Sequence, residues 1–404
     1  MSGIDYTGLM PLETALAHLL ALAESAPIDE TERVALADAD GRVLAEPLIA
    51  TLDLPPWANS AMDGYALCLA DWSGEPLAVS QRILAGSAPE ALQPGTCARI
   101  FTGAPLPAGA DTVEMQENVE VGEDGRVRFS EPLRLGQNVR PQGQETRVGD
   151  SVLPAGTRLG PIEMGLAASL GAAELRVRRR PRVAVLSTGD ELIEPGQPLG
   201  PGQIYNSNRS LLIAWLRRLG CAVVDGGILA DDLELTRAAL AALSDVDLIL
   251  STGGVSVGEA DFLGEALREE GELTFWKLAI KPGKPLTCGH FRGVPVIGLP
   301  GNPASSLVTF GLLARPYLLR RLGVQRVEPL GFQVPAGFAW SKPGKRREYL
   351  RARLEGGRVV PYPNQSSGVL RSAAWAEGLA ELLEGQTLEE GDSLRFIPLS
   401  EILG

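Results

Sequence analysis

Two apolar runs in this chain end in the same small polar residues. Leu248-Ile249-Leu250 runs into Ser251, Thr252, Gly253 and Gly254, and Val183 to Leu186 runs into Ser187, Thr188 and Gly189. Acids follow each run: Ser256, Glu259 and Asp261 after the first, Asp190 and Glu191 after the second. Glycine lets a chain turn away from a sheet edge and leaves backbone amides open to an approaching group. Strand, glycine turn, acids and then a helix is the order in which doubly wound sheets meet anionic ligands. A single copy reads equally well as a plain change of chain direction. Two copies with the same chemistry point to one crevice.

Other segments carry groups suited to the same ligand. Asp231 and Asp232 follow Ile228-Leu229; capping of the next helix accounts for one, and a carboxylate for Mg²⁺ is the alternative for the other. WKLAIKPGKP supplies Lys277, Lys281 and Lys284. Lys277 and Lys281 are an even number of residues apart, so on one continuous strand both face the same side. Lysines in a buried strand are costly unless they meet an anion. In GLPGNP, Pro300, Gly301 and Asn302 precede Pro303 at a first helical position, which predicts open amides and a positive dipole end, a seat for phosphate or an oxyanion. Nearer the N-terminus, MDG contains Asp63, FTGAP contains Thr102 and GQNVRPQGQET contains Arg140, Gly143 and Glu145. Each of these three reads as an ordinary turn when taken alone.

The elements that must position these residues alternate between two periods. From 181 to 323, short apolar runs alternate with amphipathic stretches, including 207–219, for which Ser207 or Asn208 is the expected cap, and DLELTRAALAAL. This βαβα order predicts a three-layer α/β domain with a mostly parallel sheet over 179–327. LTFWKLAI (273–280) reads as one strand of it. Residues 51–145 are short strand-like pieces punctuated by glycine and proline, an inserted β-rich domain. Residues 1–50 and 146–178 form the discontinuous helix and linker domain around it, with a packing helix over 11–25 and a hairpin or strand pair over 33–50 turning at Asp40-Gly41. Residues 328–404 read as a C-terminal β domain in which GVLRSAAWAEGLAELLEG is one of the short strands.

Bulk composition excludes several classes of function. At 404 residues the chain favours several domains, and 45% hydrophobic with 22% charged residues is the balance of a globular protein. No apolar run approaches the roughly 18 residues of a membrane helix, and MSGIDYTGLM lacks the features of a signal peptide, so a cytoplasmic location is expected. A formal charge of −13 argues against a nucleic-acid partner. Four scattered cysteines and two histidines argue against a zinc site or a Ser-His-Asp triad, which leaves a hard cation held by oxygen as the expected metal.

SAMDGYA, FTGAP, STGDEL, GGVSVGEAD, WKLAIKPGKP and GLPGNP, in this order and spread over essentially the whole chain, closely resemble the molybdopterin molybdenumtransferases, the MoeA and gephyrin E-domain family. The resemblance implies a central domain similar to MogA and MoaB, a C-terminal β-barrel-like domain, and a homodimer whose active sites are shared between subunits. It implies a Mg²⁺-dependent reaction in which molybdate enters adenylylated molybdopterin, handed over by a molybdopterin adenylyltransferase, and AMP is released. Matched motif by motif, the family's catalytic groups fall on Asp63, Thr102, Glu191, Asp231, Asp261, Lys277 and Lys281, with Glu191 and Asp231 as the Mg²⁺ ligands. Substrate contacts fall on Glu145, where the family usually has aspartate, on Ser187, Thr188, Gly189, Gly253, Gly254, Ser256, Lys284, Pro300, Gly301 and Asn302, and on Arg351 of the last domain. A molybdopterin adenylyltransferase, which such proteins resemble only over 181–323, and a non-catalytic carrier of the pterin nucleotide are the alternative readings.

Overall fold

The computed structural model describes residues 8–130, 132–253 and 262–403. Gly254, Ser256 and Asp261 lie outside the described residues.

The central domain is built on β1 (Arg182–Thr188), α1 (Ser207–Arg218), β2 (Ala222–Leu229), α2 (Leu233–Ala241), β3 (Leu248–Thr252), α3 (Phe262–Glu270), β4 (Gly271–Lys277), β5 (Pro285–Phe291), β6 (Val294–Leu299) and α4 (Pro303–Thr309). Its six-stranded sheet has the order β2-β1-β3-β6-β5-β4. β2, β1, β3 and β6 run parallel, while β5 is antiparallel to both β6 and β4. Strand alternation sends side chains to two separate cores. Val183, Val185, Leu248 and Leu250 pack with Leu212, Trp215 and Leu216 of α1 and with the helical run that begins at α4. Ala184, Leu186 and Ile249 pack with Leu240, Leu263 and Leu267 on the other face. A sheet buried on both sides needs apolar residues at every position, which is why these strands show no polar alternation. The helix Leu12–Ser25 joins the first of these cores through Leu12, Ala15, Leu19 and Ala23, although the sequence groups it with the linker region.

Three elements differ from the sequence reading. The run 273–280 is not one strand: β4 ends at Lys277, and Ile280–Lys281 pairs instead with Arg347–Glu355 of the C-terminal domain. The 33–50 segment makes no hairpin, because Thr31–Ala35 pairs with Glu174–Arg178 and Leu48–Ile49 with Ser151–Leu153. Alternation reports which side of a strand is buried and is silent about its partner. In the last domain, Leu370–Trp375 is a helix, followed by the strand Gly378–Leu382.

The inserted region carries a four-stranded sheet whose order is Ala78–Ile83, Thr96–Ile100, Gly64–Leu67, Thr112–Met115. In the C-terminal region the strands run Ile280–Lys281, Arg347–Glu355, Gly378–Leu382, Ser393–Pro398, Phe332–Pro335, with Arg358–Pro361 beside Arg347–Glu355. Ala336 and Val359 bridge the first and last of its own strands, and the Gly337 N–H donates to the Val359 carbonyl at 2.8 Å. No helix among the described residues is long and apolar enough to cross a membrane.

Candidate active site at the switch point of the sheet

The connection out of β1 goes through α1 to β2 on one side of β1, and the connection out of β2 returns through α2 to β3 on the other. The carboxyl ends of β1 and β3 are therefore the point at which the winding reverses, where open α/β sheets leave a crevice. A cavity of about 560 Å³ occupies it, with Thr188, Glu191, Thr252, Gly253, Gly301 and Asn302 in its wall. The two glycine turns read from the sequence thus do face one cavity, and the GLPGNP turn closes its third side. Ser187 is the exception among the strand-end residues. It is fully buried, and its hydroxyl lies 3.1 Å from the Thr252 hydroxyl, so it ties the two strand ends together and does not reach a ligand.

Glycine is required at two of these positions. Gly253 has φ of +84°, and a Cβ there would meet the Thr188 carbonyl oxygen at 2.7 Å. Gly189, at φ +136°, would place a Cβ 2.4 Å from the Glu191 carboxylate, which folds back over the turn.

Acids crowd together beside Glu191, the one carboxylate in the cavity wall. The Asp231 N–H donates to the Asp190 carboxylate at 3.2 Å. Burial raises the Asp231 pKa, the charges of Asp190 and Glu191 raise it further, and a backbone hydrogen bond at Asp190 offsets part of the effect. Asp232 is the cap of α2, accepting from the Leu235 N–H at 2.8 Å, so Asp231 is the acid left over. The charges of Asp190 and Glu191 thus disfavour a second negative charge at Asp231. A strict cluster of three or more metal-ligating side chains is absent among the described residues.

The opposite lip is the start of α4. Pro303 is its first residue, as expected, but the amides there are not all open: the Ala304 N–H donates to the Ser367 carbonyl at 3.0 Å. The Pro300 carbonyl is likewise engaged by the Ser306 hydroxyl. A loop of the C-terminal domain thus docks on the helix start, and its Gly368 lines the cavity. Beneath that loop sits Arg351, 1% exposed. Its guanidinium donates to the Ser372 hydroxyl at 3.1 Å and to the Tyr349 and Ser366 carbonyls. No carboxylate pairs with it among the described residues, and burial lowers its pKa to about 10.

Two of the lysines, Lys277 and Lys284, reach the same edge of the sheet, and none of the three lines the cavity. β4 is antiparallel to β5, which is antiparallel to β6, so Lys277 at the end of β4 lies at the carboxyl edge shared with Thr188 and Gly253. Lys284 stands opposite, its carbonyl accepting from the Leu278 N–H at 2.7 Å. Lys281 belongs to the other sheet and pairs with Glu348 at 3.1 Å; its side chain is 52% exposed. The expectation of two lysines on one strand face is corrected accordingly, and all three are at the surface.

Asp63 and Thr102 form a unit of their own in the inserted region. The Thr102 N–H and hydroxyl both donate to one Asp63 oxygen, at 2.8 and 2.7 Å. Those two bonds hold the carboxyl below its usual range, with a smaller contribution from Arg99. Glu145 lines a different cavity, of about 840 Å³, together with Asn59 and Arg140. The two cavities have no wall residue in common.

The sequence reading missed Leu192, Ile204, Tyr205, Asn206, Asn208 and Gly368 in the first cavity. Asn206, not Ser207 or Asn208, caps α1, accepting from the Arg209 N–H at 3.2 Å. Two asparagines flanking a helix start were the available signal.

Family models match along the chain: the MoeA N-terminal region (domain I and II) over residues 10–171, a probable molybdopterin binding domain over 184–320, and the MoeA C-terminal region (domain IV) over 333–399. A molybdopterin molybdenumtransferase from Haemophilus influenzae is 45% identical over 326 residues, covering 80% of this chain and 81% of its own. One from Nostoc is 38% identical over 383 residues, covering 89% and 86%. A crystal structure of molybdopterin biosynthesis MoeA protein from Pyrococcus horikoshii superposes with a TM-score of 0.82 at 28% identity, covering 97% of this chain and 100% of that one.

Proposed function

The chain belongs to the MoeA family of molybdopterin molybdenumtransferases, transferases of molybdenum cofactor biosynthesis, and from that premise we propose that it inserts molybdate into adenylylated molybdopterin with release of AMP. The observation that carries the reading is the switch-point cavity, with Glu191 and a helix start in its wall and Lys277 at the same edge of the sheet. Matches outside the central domain, over 10–171 and 333–399, favour this transferase over a molybdopterin adenylyltransferase or a carrier. Purified protein given adenylylated molybdopterin, Mg²⁺ and molybdate is expected to release AMP only when molybdate is present. AMP release that ignores molybdate would overturn the proposal.

In this reading Glu191 and Asp231 would hold Mg²⁺, and the raised pKa of Asp231 fits a carboxylate that gains from a nearby cation. The ion would supply positive charge at the phosphate whose bond breaks to release AMP. Thr188, Gly253, Gly301 and Asn302 shape the seat of the nucleotide. Lys277, Lys281 and Lys284 supply the positive field that draws molybdate and phosphate to the edge of a protein of net charge −13. Arg351, without a carboxylate partner, holds the docked loop through the Ser366 carbonyl and so sets the place of Gly368 in the cavity wall. Asp261, from the same motif as Gly253, is assigned to this centre by the family resemblance. Asp63 and Thr102, with Glu145, complete it from the partner of a homodimer, since within one chain they occupy a separate place. The adenylylated substrate comes from a molybdopterin adenylyltransferase, and the reaction belongs in the cytoplasm.

Two outcomes follow from the electrostatics. A carboxyl whose pKa is raised in the fold costs stability once pH climbs past that value, so Asp231→Asn removes a cost at pH 7. The variant is expected to melt at or above the wild-type temperature, with the difference vanishing below about pH 4. Its Mg²⁺ requirement for half-maximal turnover should rise at least about tenfold, read by titration of activity and of metal binding; a lower Tm with unchanged Mg²⁺ dependence would make Asp231 structural. Arg351→Met removes a buried charge but leaves the Ser372 hydroxyl and the Tyr349 and Ser366 carbonyls without their donor, at a cost of about 1–3 kcal/mol for each one that stays buried. Tm should fall, and turnover should fall by about a hundredfold even well below the melting temperature, as seen by calorimetry beside the AMP assay.

A further inference from the structure

One face of the inserted sheet changes character as it approaches Asp63 and Thr102. Leu67 and Cys97 on this face belong to a buried core with Leu77, Val127 and Phe129. Two residues nearer the site on the same face, Tyr65 lies opposite Arg99, and Arg82 lies on the other side of Arg99. Phe101 follows the strand Thr96–Ile100 and directly precedes Thr102. The Arg99 guanidinium carbon stands 4.6 Å from the centroid of the Phe101 ring and 5.0 Å from that of Tyr65, and Arg82 stands 5.0 Å from Phe101. A planar cation seated against two rings is held in direction as well as in place.

Hydrogen bonds tie Arg99 to the strand end that carries Asp63. Its guanidinium donates to the Gly64 carbonyl at 2.8 Å and to the Gln116 side-chain oxygen. Gly64 follows Asp63 in the chain, and the Gln116 N–H donates to the Asp63 carbonyl at 3.0 Å. Arg99 thus joins the two segments that fix the Asp63 backbone, while Thr102, three residues after Arg99, fixes the Asp63 side chain. Both Thr102 bonds go to one carboxylate oxygen, and no described residue donates a hydrogen bond to the other. The two acceptors of Arg99 are neutral, so its charge is not spent in an ion pair with them. The Thr102 bonds do most to hold the Asp63 carboxyl low, and the Arg99 charge adds to them.

We infer that Arg99 is the positioning residue of the Asp63–Thr102 pair: seated on Phe101 and Tyr65, its fork clamps the Asp63 strand end so that one carboxylate oxygen stays on Thr102 and the other stays open to substrate. The inference rests on the molybdopterin reading, in which Asp63 meets the substrate. It adds a group that need not touch the substrate itself.

Arg99→Lys and Arg99→Met in the full chain test it. Lysine keeps the charge but cannot bridge two acceptors as a planar fork does, and methionine removes both charge and fork. Hydrogen exchange at the Thr102 amide near pH 6, followed by NMR, should be about tenfold faster in both variants, one hydrogen bond's worth, with Asp63→Ala giving the rate of the unbonded amide. Turnover in the AMP assay should fall about tenfold in both while KM moves less than about threefold, since a reacting group held loosely costs rate more than binding. Wild-type exchange at Thr102 in both variants would overturn the inference, and so would faster exchange with unchanged turnover. Full recovery of both readouts by lysine would show that charge suffices and no clamp is needed. Faster exchange throughout Thr96–Ile100 with a lowered Tm would make Arg99 a stabilising residue only. If wild type shows no molybdate-dependent AMP release, the proposed reaction fails, and exchange at Thr102 still decides whether Arg99 holds the pair.

Discussion

An equal mixture of Asp63→Asn and Glu191→Gln subunits is expected to regain about a quarter of wild-type activity, although each variant alone is inactive. Asp63 sits with Thr102 in the inserted region, and Glu191 lines the switch-point cavity of the α/β domain. If a two-fold axis brings the inserted region of one subunit to the cavity of the other, each site takes one residue from each chain. A hybrid dimer then has one doubly damaged site and one intact site. Random exchange makes about half of the dimers hybrids, and each has one good site of two, which gives roughly a quarter. Native mass spectrometry must show the hybrids and the AMP assay must show the activity. Hybrids without activity would place both residues in the same subunit's site, or reduce Asp63 to a turn residue.

Gly253→Ala is expected to abolish turnover and to destabilise the α/β domain together. At φ +84° an L-residue costs about 1–2 kcal/mol. The added Cβ also lies 2.7 Å from the Thr188 carbonyl oxygen, an overlap with backbone that no side-chain rotation relieves. Overpacking of this kind adds about 1–3 kcal/mol, for a fall in Tm of roughly 5–15 °C. Relief of the overlap moves Thr188 or Gly253, and both line the cavity. Loss of activity therefore persists well below the melting temperature, which distinguishes displacement of the site from unfolding. A variant with wild-type Tm and turnover would show that the turn relaxes freely and that glycine is not needed there.

Patterns local in the chain made much of this readable. Leu248 to Leu250 are apolar without a helical period because a doubly covered strand allows nothing else, and that implied a parallel sheet, while the second glycine turn after Leu186 was needed to point to a crevice. Pro303 at a helix start, Asp232 as a cap and Gly253 at a turn follow from the conformations those residues favour. The motif order from SAMDGYA to GLPGNP was enough to indicate the family that the matches along the chain then showed.

Contacts between distant segments were not readable, since period and propensity say which face is buried and nothing about what covers it. Lys281 looked like the continuation of β4, yet its strand pairs with Arg347–Glu355 and its charge with Glu348, 67 positions away by their numbers. Ser187 had the type and place of a ligand contact, and only packing against Thr252 removed it from the cavity. The amides at Pro303 looked open until Ser367 of another domain covered one of them. Asn208 appeared as a candidate cap and Asn206 went unread, because a sequence records an amide without recording which of its two ends is already used. That choice is made by the Arg209 N–H and the Gly301 carbonyl, and the second of these is brought to α1 by the fold across 93 residues.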